Sequence, residues 1–180
     1  MNEQILNLAK TAIESYLSDK QMPLIDDLTL QYPYFSKMSA SFVTLKINGN
    51  LRGCIGSLIA HRTLYDDLIS NAVGAAFKDP RFKPLSLEEF QDIEVEVSLL
   101  SEPVIVNYTN IEDLKSKIEI GVDGIILKKD RHQATFLPQV WEEINDFDLF
   151  FLHLCNKAGL GGTCLNSYPQ IYKYQVEKIK

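Results

Sequence analysis

Three short stretches of this chain hold residue types that can do chemistry. The first is Leu51-Arg52-Gly53-Cys54-Ile55-Gly56. Read as a strand, it places Arg52, Cys54 and Gly56 on one face and Leu51, Gly53 and Ile55 on the other. A cation beside a thiol favours the thiolate, so Cys54 is the candidate nucleophile and Arg52 its activator or an anchor for an anion. Gly53 and Gly56 are candidate binding positions, because glycine inside a strand is tolerated where a ligand or another backbone comes close. Alternatively Cys54 is a small buried apolar residue and Arg52 pairs with a carboxylate.

The second stretch is Asp79-Pro80-Arg81-Phe82. An aspartate and an arginine two residues apart on a rigid turn either present charge to a cleft or make a salt bridge where a helix stops. If Arg52 and Arg81 converge, they form an anion site, since guanidinium forks match carboxylates and phosphates. The third is Phe136-Leu137-Pro138-Gln139-Val140-Trp141, where Gln139 offers an amide to a cleft or Trp141 builds a packing corner. The remaining signals are weaker. His153 and Cys155 are two apart on a predicted helix and do not face each other, and His61 and His132 are isolated. No G-x-G-x-x-G and no P-loop ending occurs, so no cofactor is expected, and with His153 and Cys155 a poor ligand pair and no Cys-x-x-Cys no metal site is named. Lys128, Lys129 and Arg131 read as a solvated hairpin tip.

The elements that must position these residues follow from periodicity. Ile5, Leu8, Ala9, Ala12, Ile13 and Tyr16 predict a helix over 2–19, with Asp19 on its polar side. Residues 20–40, with Pro23, Pro33, Tyr32, Tyr34 and Phe35, are expected to be irregular, as a lid or a wrap. Val43, Leu45 and Ile47 alternate with polar or exposed positions, Asn48-Gly49 supplies a two-residue hairpin turn, and 50–56 returns. Thr63-Leu64-Tyr65-Asp66 opens a helix that runs to about Lys78 with Leu64, Leu68, Ala72, Ala75 and Ala76 inward, and Asp79-Pro80 ends it. Further strands are predicted at 93–99, 125–129, 133–137 and 171–176, and helices at 110–118 and 146–158, the latter capped by Gly159. Residues 43–55 echo 125–137 at an offset of 82, each as a hairpin. Hairpins mixed with helices make the class α+β.

Composition bounds the rest. The chain has 180 residues, enough for one domain or two small interleaved lobes. A hydrophobic share of 46% and a charged share of 23% exclude disorder as the main state. A net charge of −6 argues against nucleic acid and anionic membrane as partners. The N-terminus lacks the order of a signal peptide, and the apolar stretch 147–155 is too short to span a bilayer. Three cysteines with no Cys-x-x-Cys predict free thiols in a cytoplasmic protein.

Six blocks in order carry a family resemblance: Phe42-Val43-Thr44-Leu45, Leu51-Arg52-Gly53-Cys54-Ile55-Gly56, Ala75-Ala76-Phe77, Asp79-Pro80-Arg81-Phe82, Phe136-Leu137-Pro138-Gln139-Val140 and Lys157-Ala158-Gly159-Leu160. Over about 5–178 the chain resembles the AMMECR-type (AMME chromosomal region) domain family, whose prokaryotic branch is the AmmeMemoRadiSam system protein A. The resemblance implies an α+β fold in which two lobes share a barrel-like mixed or antiparallel sheet flanked by helices. The lobes are expected at roughly 1–40 plus 90–180 and at 41–89, with a cleft at the Arg-Gly-Cys segment. It also implies a Memo-type protein and a radical SAM protein as partners. The family often has an aromatic near position 165, where this chain has Gly161-Gly162-Thr163-Cys164-Leu165.

Two functions are open on this reading. One is thiol-dependent chemistry by Cys54 on a small anionic or aromatic molecule, with Arg52, Asp79 and Arg81 orienting it. No histidine sits in a recognised motif to serve as its base. The other is a non-catalytic binding or adaptor module, with Arg52, Arg81 and Gln139 supplying hydrogen bonds to a partner protein or small ligand.

Overall fold

The computed structural model describes residues 1–180 apart from 19–20 and 23–24. In chain order the elements are α1 (Asn2–Ser18), α2 (Ile25–Gln31), β1 (Ala40–Ile47), β2 (Asn50–Gly56), α3 (Leu64–Phe77), α4 (Leu87–Phe90), β3 (Ile93–Leu100) and β4 (Val104–Val106). They continue with α5 (Ile111–Lys117), β5 (Gly124–Lys129), β6 (His132–Phe136), α6 (Val140–Glu143), α7 (Phe147–Lys157), β7 (Gln170–Tyr174) and β8 (Val176–Ile179). The α+β class is the expected one. The strands form two four-stranded sheets flanked by helices, β2-β1-β3-β8 and β4-β7-β5-β6. No described helix is long and apolar enough to cross a membrane.

The chain divides into two compact units, Met1–Leu100 with Glu177–Lys180, and Ser101–Val176. The expected interleaving of 1–40 plus 90–180 around 41–89 differs from this division. The reason lies in one core. Ile5, Leu8, Ala9, Ala12 and Ile13 of α1 join Leu64, Leu68, Ala72, Ala75 and Ala76 of α3, with Val43 and Leu45 of β1 and Ile93 and Val97 of β3. Helix α1 is therefore bound to the hairpin that the expected boundary separates from it. Burying one leucine such as Leu68, fully enclosed here, contributes about 1.5–3 kcal/mol.

Local chemistry explains the elements of this first unit. The β1–β2 turn uses positive φ at Asn48 (52°) and Gly49 (74°), as a two-residue hairpin requires. The Thr63 side chain caps α3 by accepting from the Asp66 N–H. Over 25–40 the chain holds more regular structure than expected: α2 fits before Pro33, with Asp26 and Asp27 favourably placed in its first turn, and Pro33–Ser36 makes a 3-10 turn that buries Phe35. Asp19 and Pro23 lie outside the described residues.

The second unit packs α7 and its aromatics on its own sheet. Trp141 stacks on Phe150 with ring centroids 3.5 Å apart and planes 6° from parallel, and its indole N–H donates to the Asp123 carbonyl at 2.8 Å. The packing-corner role weighed for Trp141 is the one the structure shows. Helix α7 ends as expected at Gly159 (φ 73°), where Gly159 N–H bonds the Asn156 carbonyl and Leu160 N–H the Cys155 carbonyl. The predicted final strand is two, β7 and β8, broken at Gln175. The expectation of three free thiols is corrected here. Cys155 and Cys164 are disulfide-bonded, with Cα atoms 5.7 Å apart, and Cys54 is the free cysteine. The reversal of the chain at Gly159 returns the backbone to within bonding reach of the end of α7.

Candidate functional site

Strand β2 sits at the edge of its sheet, and the candidate residues gather around it. Its pairing with β1 shifts register between Leu45 and Lys46: Leu45 faces Gly53 and Lys46 faces Leu51. Arg52 is thus the extra residue of a bulge, and the strict alternation that put Arg52 beside Cys54 breaks at that point. The Arg52 guanidinium instead grips Glu89 side-on, Nε to Oε1 and Nη2 to Oε2 both at 2.9 Å, and Nη2 also donates to the Lys83 carbonyl at 2.9 Å. The Arg52 fork, with the Ser86 backbone N–H, pulls the Glu89 carboxyl down to about 2. That glutamate also closes a capping box with Ser86 at the start of α4. Of the alternatives for Arg52, the carboxylate partner is the one realised.

Cys54 keeps its place on the open face of the sheet. Its sulfur accepts from the Thr44 hydroxyl at 3.3 Å, across the β1–β2 pair. Its backbone N–H donates to Asp79 Oδ2 at 2.9 Å. Asp79 is buried, and Arg81 returns to it through Nη2 (2.7 Å to Oδ2) and Nε (3.0 Å to Oδ1). Arg81 Nη2 also lies 3.5 Å from the Cys54 carbonyl oxygen. A carboxylate on the strand's N–H and a guanidinium on its carbonyl take the positions that a neighbouring strand would occupy, so the turn covers this stretch of sheet edge. The Arg81 fork and the two backbone N–H groups hold the Asp79 carboxyl far below the usual carboxylate range, against the opposing effect of burial.

Arg52 and Arg81 share one neighbour, the Phe82 ring. Their Cζ atoms lie 5.8 and 5.5 Å from its centroid. Each is already paired with a carboxylate, so the two are not an open anion site. Gly53 and Gly56 make room for the protein itself. A Cβ on Gly53 would stand 2.1 Å from the Ala75 carbonyl oxygen of α3, and one on Gly56 2.2 Å from the Phe42 ring. Gln139 belongs to the second unit, exposed at the start of α6, where its side chain makes no capping bond. Among the described residues no histidine bonds the Cys54 side chain: His61 Nδ1 faces the Ile59 carbonyl and His132 Nδ1 the Ala158 carbonyl. The described residues also hold no cluster of three or more His, Cys, Asp or Glu side chains able to bind a metal.

The family model for AMMECR1 matches residues 6–179. The chain belongs to the AMMECR1 family. A protein of Methanococcoides burtonii is 39% identical over 99% of this chain and 88% of its own length. A protein of Methanothermobacter thermautotrophicus is 39% identical over 96% of this chain and 90% of its own. The crystal structure of an uncharacterised Pyrococcus horikoshii protein superimposes with a TM-score of 0.82 at 34% identity, covering 98% of this chain and 89% of that one.

In this AMMECR1-family chain, one polar centre escaped the sequence reading. Asp67, fully buried in α3, accepts from Ser41 N (2.8 Å), Ser41 Oγ (2.7 Å), Ser57 Oγ (2.6 Å), Arg62 Nε (2.8 Å) and Asn71 Nδ2 (2.9 Å). It ties the start of β1 and the residue after β2 to the helix beneath them. A signal was present: Leu64, Asp67, Leu68, Asn71 and Ala72 share one helical stripe. Two polar residues on an apolar stripe announce a buried network.

Proposed function

We propose that this AMMECR1-family protein is a binding module whose contact surface is the turn after α3, and not a thiol enzyme. One observation carries the reading. Arg52 and Arg81 are both paired with carboxylates, and among the described residues no base bonds the Cys54 side chain, so the cluster is built as a brace. The brace presents Arg81, 55% exposed, with Phe82 and the exposed Lys83. An aromatic ring between cations suits an acidic surface on a partner. The partner proposed is the Memo-type protein that the sequence resemblance implies, with the radical SAM protein as the second component, in the cytoplasm.

The test is direct binding of a purified Memo-type protein from the same genome at low and physiological salt. Arg81→Glu should weaken it at least tenfold, with folding checked by circular dichroism because the new carboxylate stands beside buried Asp79. No binding at about 100 µM, near the weak end of useful affinities, or binding indifferent to Arg81→Glu, would overturn the proposal. The thiol reading has one contact in its favour, the Thr44 hydroxyl on the Cys54 sulfur. It is decided by the alkylation rate of Cys54 against pH. Fast reaction well below the ordinary thiol value of about 8.5, slowed by Arg52→Ala, would restore Cys54 as a nucleophile.

A further inference from the structure

We infer that the Cys155–Cys164 pair is a reversible redox latch on segment 156–169, opened by a dithiol reductant. It lies in the second unit and is independent of the reading of Cys54.

The bond joins the last turn of α7 to the 3-10 turn Cys164–Ser167, a separation of 9 residues. The chain between is built to bend. Gly159 and Gly161 both have positive φ, and Gly162 sits between Gly161 and Thr163. Two other ties reach this segment from β6: Ala158 O meets His132 Nδ1 at 2.9 Å, and Lys157 Nζ donates to the Thr135 carbonyl at 3.0 Å. Both lie on the α7 side of the loop. On the far side, among the described residues, hydrogen bonds reach the rest of the unit where Lys129 Nζ meets the Ser167 carbonyl at 3.4 Å and the Tyr108 hydroxyl meets the Pro169 carbonyl at 2.7 Å. Between them Tyr168, 60% exposed with φ 49°, stacks on Tyr108 at 5.9 Å. A non-glycine residue at positive φ persists where its surroundings hold it there. The disulfide is the covalent part of those surroundings.

Both cysteines are buried, Cys155 at 0% and Cys164 at 5% exposure. A reductant thiolate attacks the sulfur of Cys164, the less enclosed residue, and the S–S bond breaks with Cys155 leaving as a thiolate that takes up a proton. The second thiol of the reductant then attacks the mixed disulfide, releasing Cys164 as a thiol and the reductant as its own disulfide. Two electrons and two protons pass to the protein. The hydrogen bonds at Gly159 and Leu160 do not involve the sulfurs, so α7 keeps its cap while 161–169 loses its covalent tie and keeps only the burial of Cys164 and Leu165 and the bonds at Ser167 and Pro169.

Wild-type protein is blocked with an alkylating agent, then treated with dithiothreitol in native buffer and labelled with a second agent. Cys54 should carry the first label and Cys155 and Cys164 the second. Amide exchange across 161–169 should then rise about tenfold or more, with β5, β6 and α3 unchanged, and return on reoxidation. The Cys155→Ser/Cys164→Ser double variant should reproduce the reduced pattern; if it does not fold, the reduction of wild type decides alone. A bond that resists dithiothreitol until the protein unfolds would mark a permanent staple and overturn the latch. So would exchange that is unchanged on reduction, or all three cysteines taking the first label after exposure to air.

Discussion

Helix α3 carries a buried carboxylate near each end, and the two do different work. Asp67, in its first turn, collects five donors from Ser41, Ser57, Arg62 and Asn71. Asp79, just beyond its last turn, collects one strand N–H and otherwise its own neighbour Arg81. Both grip the β1–β2 hairpin, Asp67 at its open end and Asp79 along its edge. Asp67 is a junction of four segments whose cation is 28% exposed, whereas Asp79 is a local clip whose cation is 55% exposed. Charge that is shared among segments holds the fold; charge paired within a turn leaves its outer half for contact.

Asp67→Ala should have the largest effect. It strands three buried donors, the half-buried Ser57 hydroxyl and an arginine, a class of loss that costs about 3–5 kcal/mol. Denaturant midpoints at constant slope would measure it. A loss no greater than that of Asp79→Ala would break the contrast between junction and clip. Next comes Gly53→Ala, between the two carboxylates. The added methyl meets the Ala75 backbone oxygen, and neither backbone has a flexible end to give way. Overpacking of this kind costs about 3 kcal/mol; a neutral outcome would mean that β2 and α3 are free to separate there.

Asp79→Ala should cost about 2 kcal/mol, the penalty for leaving the Cys54 N–H and the Arg81 fork without their acceptor. Acid sharpens the point. Glu89 titrates at about 2 in the fold against its ordinary 4.5. A depressed carboxylate adds stability that is complete above the unfolded value and is lost as pH falls through the folded one. Stability should therefore decline between pH 4.5 and 2, and Asp79 adds to the decline in the same direction. The Glu89 side chain is 38% exposed, so solvent screening limits its share to about 1 kcal/mol. Glu89→Gln should flatten that part of the acid slope, and an unchanged slope would show that Arg52 holds Glu89 less firmly than the geometry indicates.

The same contrast explains what was legible in the sequence. The β1–β2 hairpin, α3 and the Asp79-Arg81 turn rest on short-range signals, Asn48-Gly49, the Thr63 cap and Asp79-Pro80, and all appear as expected. Arg52 did not, because a one-residue bulge reverses the facing of every residue before it, and nothing in Leu51-Arg52-Gly53 marks where the register slips. Asp67 was legible only as a polar residue on an apolar stripe, since its partners Ser41 and Ser57 are 26 and 10 residues distant. The Cys155–Cys164 bond depends on the reversal at Gly159 followed by a 3-10 turn. Spacing alone cannot show that these bring two sulfurs together. The membership of α1 in the hairpin core was not legible for a similar reason: its partners there lie far from it in the chain.

Arg81→Ala should cost less than Asp79→Ala, about 1 kcal/mol, because its guanidinium is half exposed and its buried aspartate loses the cation but retains the Cys54 N–H. It is also the substitution that separates brace from contact surface. Removing the cation leaves the Asp79 carboxyl with two backbone donors, from Cys54 and from residue 81 itself. The edge of β2 therefore stays covered on its N–H side and opens on its carbonyl side. If Arg81 serves the fold, Arg81→Ala and Arg81→Lys should differ in melting temperature and agree in partner binding. If its outer half is a contact, the two variants should melt alike while only lysine retains binding at low salt. A stability loss approaching that of Asp79→Ala would show that the clip is one indivisible unit with no part left over for a partner.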